Sequence, residues 1–473
     1  MIKTERVFMP AKYMIHTQIV PNRFRPFTKS GIIAWWEGCL GCRVCVKRQC
    51  VYGVYRNRDL DVRQMIDSMD NQCMNCLRCV QGCPRELIHK SINPEYEALG
   101  DSHWTPDIIA QLWNQAETGK IPVSGAGYSG PFSGPGFDSM WTDMSEIVRP
   151  TRDGIHGREY ISTGIDLGGT PKHLAFTDSG DLESEPPSLV DMPLPIILRV
   201  PPFGSLSDNT IKGWAMGARE LGTFLALPNE IIKGELLAFK KNLIPIISPC
   251  HPLLHDALEG VRLVEVPWGE KWKEITQKIK EAHPSVLISY RTPLVRGVEE
   301  KVLSIVNSGV SIIYLEGTSS GRVTDDNSIF IKDGIRQTHL ALVDNGMRDE
   351  ITILAGGGLA MAEHAAKSII CGADGVFIDF PILIALECRM CRRCTKGLPC
   401  PVEIDRAEAS WVASRVTNLI GAWHNQLLEV MSAMGIRDVR RLRGETGRAM
   451  FYEDLDRSTF GSLGTLREGY ELE

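Results

Sequence analysis

Between residues 196 and 380 the sequence repeats one pattern eight times: a short run rich in Val, Ile and Leu, then a longer stretch with helical character. The runs are IILRV (196–200), TFLAL (223–227), LIPIIS (243–248), RLVEVPW (262–268), SVLISYR (285–291), SIIYLEG (311–317), ITILAG (351–356) and GVFIDF (375–380). Most follow one another at about 20–25 residues. Apolar runs this short and continuous read as strands covered on both faces. Strands that alternate with helices build a parallel sheet with the helices laid over it. The intervening signals agree. Asp208 stands as an N-cap before NTIKGWAMGARELG, and a helix from Met361 to Ile370 follows a triple glycine. Eight such units predict an α/β chain closed into a (β/α)8 TIM barrel. An open doubly wound sheet is the alternative.

Fourteen cysteines stand in the 473-residue chain. The opening MIKTERVFMPAKYM has basic residues but neither an apolar core nor a cleavage site, so the expected compartment is the cytoplasm. Dense cysteine in a reducing compartment points to metal or redox chemistry rather than to disulfides. Cys39, Cys42, Cys45 and Cys50 read C-x2-C-x2-C-x4-C, and Cys73, Cys76, Cys79 and Cys83, followed by Pro84, read C-x2-C-x2-C-x3-C-P. The second run is that of bacterial ferredoxins. A tight C-x2-C-x2-C loop supplies three thiolates to a cubane, and the fourth comes from elsewhere. By the two-cluster pattern, Cys39, Cys42, Cys45 and Cys83 hold one [4Fe–4S] cluster, and Cys73, Cys76, Cys79 and Cys50 the other. Structural zinc is the alternative; it usually takes two C-x2-C pairs.

A third group follows the eighth run. Cys388, Cys391, Cys394 and Cys400 read C-x2-C-x2-C-x5-C-P within ALECRMCRRCTKGLPCPV. Its four ligands can all be local, for a [4Fe–4S] cluster or, with three of them, a [3Fe–4S] cluster. It lies at the C-terminal end of a barrel strand, the end that carries barrel active sites. Arg389, Arg392, Arg393 and Lys396 surround it, to screen cluster charge, to dock an acidic electron donor, or simply as a solvated charge run. Of the remaining cysteines, Cys371 in IICGADG reads as core. Cys250 sits in SPCHPLLH with His251 and His255, at the active end of strand three.

Four segments are expected. Residues 1–95 form a ferredoxin-like unit with two [4Fe–4S] clusters. Residues 96–185, with SGAGYSGPFSGPGF (124–137), form an irregular covering segment that needs its tryptophans buried. Residues 186–404 form the barrel with its cysteine loop 388–400. Residues 405–473 form a helical extension, in which Val412, Val416, Leu419, Trp423, Leu427 and Met431 mark the packing face of one helix over 405–434 that stops at Gly435. The net charge of −6 is mixed along the chain without a basic block, which argues against nucleic acid, and no apolar run reaches the ~20 residues of a membrane span.

The glycines Gly356, Gly357 and Gly358 end strand seven before a helix, a place where barrels cradle phosphate. Across from them, at the tip of strand eight, stand Asp379 and Phe380. A carboxylate there repels a phosphate.

QAETG (115–119), REYISTGIDLG (158–168), PFGSLS (202–207), ARELGTF (218–224), MRDEITILAGGGL (347–359), CGADGVFI (371–378), ALECRMCRRC (385–394) and AWHNQLLEVMSAMGIRDVRRLRG (422–444) together resemble the glutamate synthase large-subunit family. The likeness is to its shorter archaeal type, with ferredoxin motifs ahead of the barrel. The resemblance covers most of the chain in order. It implies a barrel that binds FMN beside an iron–sulfur cluster and reduces the imine of 2-oxoglutarate to L-glutamate. Electrons would come from ferredoxin or a partner redox subunit, within a hetero-oligomer that also supplies an amidotransferase. On the resemblance, Gly317 in EGTSSGR (316–322) and Arg291 join Gly356, Gly357 and Gly358 as flavin-binding candidates. The sequence departs from the family at LPNE (227–230), where the family has a GEGG-type stretch, and near Ser289, where it has lysine. It also lacks the family's long glycine-rich segment between strands three and four. These departures suggest a second reading, an electron-transfer subunit of a larger redox complex, with or without FMN.

Overall fold

The computed structural model describes residues 13–27, 29–34, 38–54, 76–121, 136–142, 161–170, 174–183, 187–248 and 258–467. Its centre is a closed barrel of eight parallel strands. These are β1 (Ile196–Arg199), β2 (Leu225–Pro228), β3 (Leu243–Ile246), β4 (Leu263–Pro267), β5 (Leu287–Pro293), β6 (Ile312–Glu316), β7 (Thr352–Gly356) and β8 (Gly375–Ile378). Each falls within its predicted run, give or take two residues. β8 closes onto β1 through Phe377 beside Ile197, so the doubly wound alternative is excluded.

The covering helices are α1 (Pro106–Thr118), α2 (Asp208–Glu220), α3 (Trp272–Ala282), α4 (Val298–Val306), α5 (Ile331–Asp344), α6 (Ala362–Ile370), α7 (Phe380–Ile384), α8 (Ala409–Ala433) and α9 (Tyr452–Arg467). The cap of α2 is Ser207, not Asp208. Its side chain accepts from the Thr210 N–H while Thr210 caps back, a reciprocal box that Asp208 cannot make from inside the helix. Between β2 and β3 the chain runs in 3-10 turns, Asn229–Ile231 and Gly234–Asn242, rather than in an α-helix.

The long C-terminal helix begins at Ala409, after a 3-10 turn at Ile404–Arg406, and all six expected stripe residues are buried. It lies across α2, and Gly213 makes the crossing possible. A Cβ there would stand 2.5 Å from the Val412 Cβ and 2.7 Å from the Ala409 carbonyl oxygen. Gly213→Ala is therefore expected to lower Tm. Overpacking costs about 1–3 kcal/mol, which exceeds the ~1 kcal/mol of helix propensity gained. An unchanged Tm would mean that the two helices part freely.

The covering segment is anchored on α8 from the other side. Gln115 accepts from the Trp423 indole N–H at 3.0 Å, and Asn418 donates to the carbonyls of Gln18 and Ala116. The buried Arg415 guanidinium donates to the carbonyls of Ala385, Val20 and Trp113. Residues 18–20, α1, the end of the barrel and the extension are thereby fixed to one another. Cys371 is fully buried against Met140, as the core reading expects. Cys250, His251 and His255 lie outside the described residues.

Candidate functional site

Two sets of residues meet at the C-terminal end of the barrel. The first is the third cysteine group. Cys388, Cys391, Cys394 and Cys400 line one small hollow, together with Phe203 and Gly204 of the loop after β1. Burial pushes the Cys388 thiol up to about 12, and the Met390 N–H donates to its sulfur at 3.4 Å. Glu387, just before the group, is buried and accepts from the backbone N–H of Arg23 and Phe24 at 2.6 and 3.1 Å. The N-terminal segment is thus bound directly to the cysteine loop. Of the basic residues around it, Arg392 pairs with Asp101 at 3.3 Å and Arg389 stacks on Phe27 at 4.3 Å. Arg393 and Lys396 are exposed.

The three cysteine loops share one backbone device. In the first, Gly41 and Arg43 flank the middle cysteine with φ of +62° and +58°. In the third, Met390 and Arg392 flank Cys391, each with φ +53°. In the second, Leu77 directly follows Cys76 at φ +57°, and Asn75 and Cys73 lie outside the described residues. Non-glycine residues seldom adopt this conformation, and its cost concentrates at functional sites. Alternating left- and right-handed residues turn successive N–H groups to one side and make a concavity that attracts negative charge.

The extra residue before Cys50 also has a local solution. Cys45–Gln49 forms a π turn closed by the Cys50 N–H on the Cys45 carbonyl at 3.2 Å. The second motif, one residue shorter, makes an α turn over Arg78–Gln81. Cys45, Cys50, Cys79 and Cys83 gather around Val54 and Ile88 in one small cluster, so residues of both N-terminal motifs meet. Among the described residues, no three His, Cys, Asp or Glu side chains form a ligand set for a single metal ion.

The second set is polar and fills the barrel mouth. Arg199 at the end of β1 reaches across the barrel to Glu265 of β4 at 2.6 Å and lies 3.6 Å from Glu316 of β6. Arg291 of β5 pairs with Glu265 at 3.0 Å and Glu316 at 2.6 Å. Glu265 is fully buried, and the Arg199 guanidinium lies over the Tyr314 and Phe377 rings. Burial opposes the Arg199 charge, yet Glu265, Tyr314 and Glu316 together hold its pKa above the ordinary arginine value. Beneath the pairs, the buried hydroxyl of Ser289 has no hydrogen-bond partner among the described residues.

The predicted flavin-binding residues come together here with other tasks. Gly317 donates its N–H to the Gly356 carbonyl at 2.8 Å. A Cβ on Gly357 would lie 2.5 Å from the Gly317 carbonyl oxygen, and one on Gly358 would run into the Gly321 nitrogen. These glycines let the loops after β6 and β7 touch. The covering segment closes over them: His103 donates to the Gly358 carbonyl at 2.8 Å, and Trp104 to the Ser319 carbonyl at 2.9 Å. Asp379 caps α7, its carboxylate accepting from the Phe380 N–H at 2.6 Å. Burial pushes its pKa up, while that bond and Arg199 work the other way.

Arg199, Glu265 and Glu316 are not among the site residues expected from the sequence. The signal was there: each is a single charge near the C-terminal end of an otherwise apolar strand.

Fold and site define a class, a (β/α)8 barrel with a triple-cysteine loop after its last strand. A model of the conserved region in glutamate synthase matches residues 264–437. An archaeal-type glutamate synthase [NADPH] from Dehalococcoides mccartyi is 25% identical, over 86% of this chain and 92% of the relative. An archaeal glutamate synthase [NADPH] from Archaeoglobus fulgidus is 26% identical, over 90% and 95%. Among solved structures, the recombinant flavin-binding domain of baker's yeast flavocytochrome b2 superposes with a TM-score of 0.40 at 13% identity, covering 80% of this chain and 87% of that one. Over most of its length the chain is thus similar to archaeal-type glutamate synthases, at about a quarter identity.

Proposed function

We propose that this chain is an iron–sulfur oxidoreductase of the glutamate synthase type, with three clusters held by twelve cysteines. Cys39, Cys42, Cys45 and Cys83 would hold one N-terminal [4Fe–4S] cluster, and Cys73, Cys76, Cys79 and Cys50 the other. Cys388, Cys391, Cys394 and Cys400 would hold the third, as [4Fe–4S] or [3Fe–4S]. The observation that carries this reading is the repeated left-handed conformation beside the middle cysteine of each loop. Each of the three loops places a left-handed non-glycine residue, Arg43, Leu77 or Arg392, directly after its middle cysteine, and such a residue helps turn N–H groups toward an anionic centre. A single ion would draw its thiolates to ~2.3 Å from one point, whereas a cubane spreads them over its corners. The third group, whose four cysteines line one hollow, suits the cubane. Bound clusters supply one-electron transfer, and the donor would be ferredoxin or a partner redox subunit.

The FMN that the sequence resemblance implies does not fit the mouth with its present residues. The helix N-terminus after β8, where a phosphate would sit, already accommodates the Asp379 carboxylate. The floor beneath a flavin ring is crossed by the Arg199, Glu265, Arg291 and Glu316 ion pairs. This geometry favours the second reading, in which the chain conducts electrons within a larger redox complex and reduction of a substrate belongs to a partner.

Anaerobically purified chain is expected to contain about 11–12 iron atoms, from two or three cubanes and at most one three-iron cluster. Cys391→Ser is expected to remove one cluster's iron and leave the N-terminal clusters' spectra in place. A value near four iron atoms, or stoichiometric zinc, would sink the proposal. Flavin released by acid in stoichiometric amount would return the lead to the flavoenzyme reading.

A further inference from the structure

A sizeable cavity lies beside the barrel mouth, where the loops after β6 and β7 meet the covering segment. It has a volume of about 960 Å³, in the usual range for a small-molecule pocket. One wall is the loop after β6 and the start of α5; another is Gly358 and the start of α6. The covering segment completes it with Ser102, His103, Thr105, Gln111 and Asp138.

Its chemistry is dipolar. Asp107, also in the wall, is tied to Lys29 at 2.5 Å and to the Tyr96 hydroxyl at 2.8 Å. That leaves one cation and one carboxylate among the lining residues, Arg322 and Asp138. Arg322 stacks on Phe330 at 4.0 Å and donates one N–H to the Asn327 carbonyl at 2.5 Å. A guanidinium has five donors, so others remain. The N-caps of α5 and α6, Phe330 and Met361, offer no side-chain cap, and both line the cavity. In α6 the Glu363 carboxyl folds back onto its own N–H, and in α5 the Ile331 N–H is taken by the Gly321 carbonyl at 3.0 Å.

A separate observation points to a ligand. His364, 6% exposed, lines the cavity and accepts the Ala360 N–H on Nδ1 at 3.1 Å. Burial keeps its ring neutral, so Nε2 carries the proton. That N–H has no acceptor among the described residues. A buried donor left unpaired costs roughly 1–3 kcal/mol. His103 is the complement. Its Nε2 donates to the Gly358 carbonyl and burial keeps it neutral, which leaves Nδ1 with a free lone pair.

We propose that this cavity binds a free amino acid as its zwitterion. The carboxylate faces Arg322 and the His364 Nε2–H. The ammonium group faces Asp138 and the His103 Nδ1. A doubly charged anion would be opposed by Asp138, and a simple amine by Arg322. The site is independent of the cysteines, so the inference stands or falls apart from the cluster reading.

The test is thermal denaturation of the full chain against the L-amino acids, inorganic phosphate and 2-oxoglutarate, each at millimolar concentration. At least one amino acid is expected to raise Tm saturably, since a ligand that binds only the folded state stabilises it. Asp138→Asn and Arg322→Gln are each expected to weaken that ligand about tenfold or more, the scale of a lost charge-assisted contact. If Arg322→Gln does not fold, Gln111→Trp, which puts a bulky ring into the cavity from α1, takes its place and should weaken the ligand by a similar factor. Stabilisation by phosphate or 2-oxoglutarate but by no amino acid would overturn the proposal. So would an amino-acid response that survives these substitutions, or no response to any amino acid.

Discussion

Glu265→Gln is expected to lower Tm by roughly 6–20 °C. Glu265 is fully buried and faces two guanidiniums, at 2.6 and 3.0 Å. Glutamine keeps the shape and removes the charge, which leaves Arg199 and Arg291 facing each other with only Glu316 between them. Breaking a buried pair from one side costs about 3–5 kcal/mol, because the orphaned charge stays buried. Each kcal/mol moves Tm by about 2–4 °C in a domain of this size. Glu316→Gln is the control. Its side chain is 31% exposed, so water replaces much of the lost interaction and the drop should be smaller. Calorimetry on both variants separates the cases. Equal small losses would mean that the mouth is hydrated and open, and that the ion pairs there are not a structural plug.

The barrel was legible because its signal is local. Each strand announces itself in five to seven residues, and eight repeats leave few ways to close a sheet. The long C-terminal helix was legible for the same reason, in the spacing of Val412 through Met431. The cysteine loops were visible as spacing, but their shared left-handed turns were not. Nothing in the letters of Met390, Arg392 or Leu77 asks for a positive φ; the loop imposes it. The mouth was out of reach for another reason. Arg199 and Glu265 come from β1 and β4, which are not neighbours in the sheet. Only closure of the barrel puts them at 2.6 Å. The same holds for His103, Arg322 and His364, which share one cavity because the covering segment folds back onto the loops after β6 and β7. The triple glycine was seen correctly at the end of β7, yet its glycines are used for loop-to-loop contact. A glycine run marks close approach without saying what approaches.

Asp379→Gly is expected to raise affinity for FMN by about one to three orders of magnitude. The phosphate of a flavin bound in the usual barrel manner would lie at the start of α7, where Asp379 now caps the helix. Two unit charges ~4 Å apart at an effective dielectric near 20 repel by roughly 4 kcal/mol, and ~1.4 kcal/mol is a decade of affinity. Losing the cap costs only about 0.5–2 kcal/mol of stability, which the barrel can bear. The freed helix N–H groups are then open to phosphate. The pH dependence separates repulsion from mere crowding. Burial raises the Asp379 pKa above the ordinary carboxylate value. As pH falls through that raised pKa the carboxyl becomes neutral, so FMN affinity of the unmodified chain should climb. The glycine variant has no such group and should lack that climb, with only the change due to the phosphate's own protonation left in both. Fluorescence titration of FMN against both proteins across the acidic range reads the difference. Parallel profiles, or tight FMN binding by the unmodified chain at neutral pH, would show that Asp379 does not guard the site, and the barrel would then have to be read as a flavoenzyme.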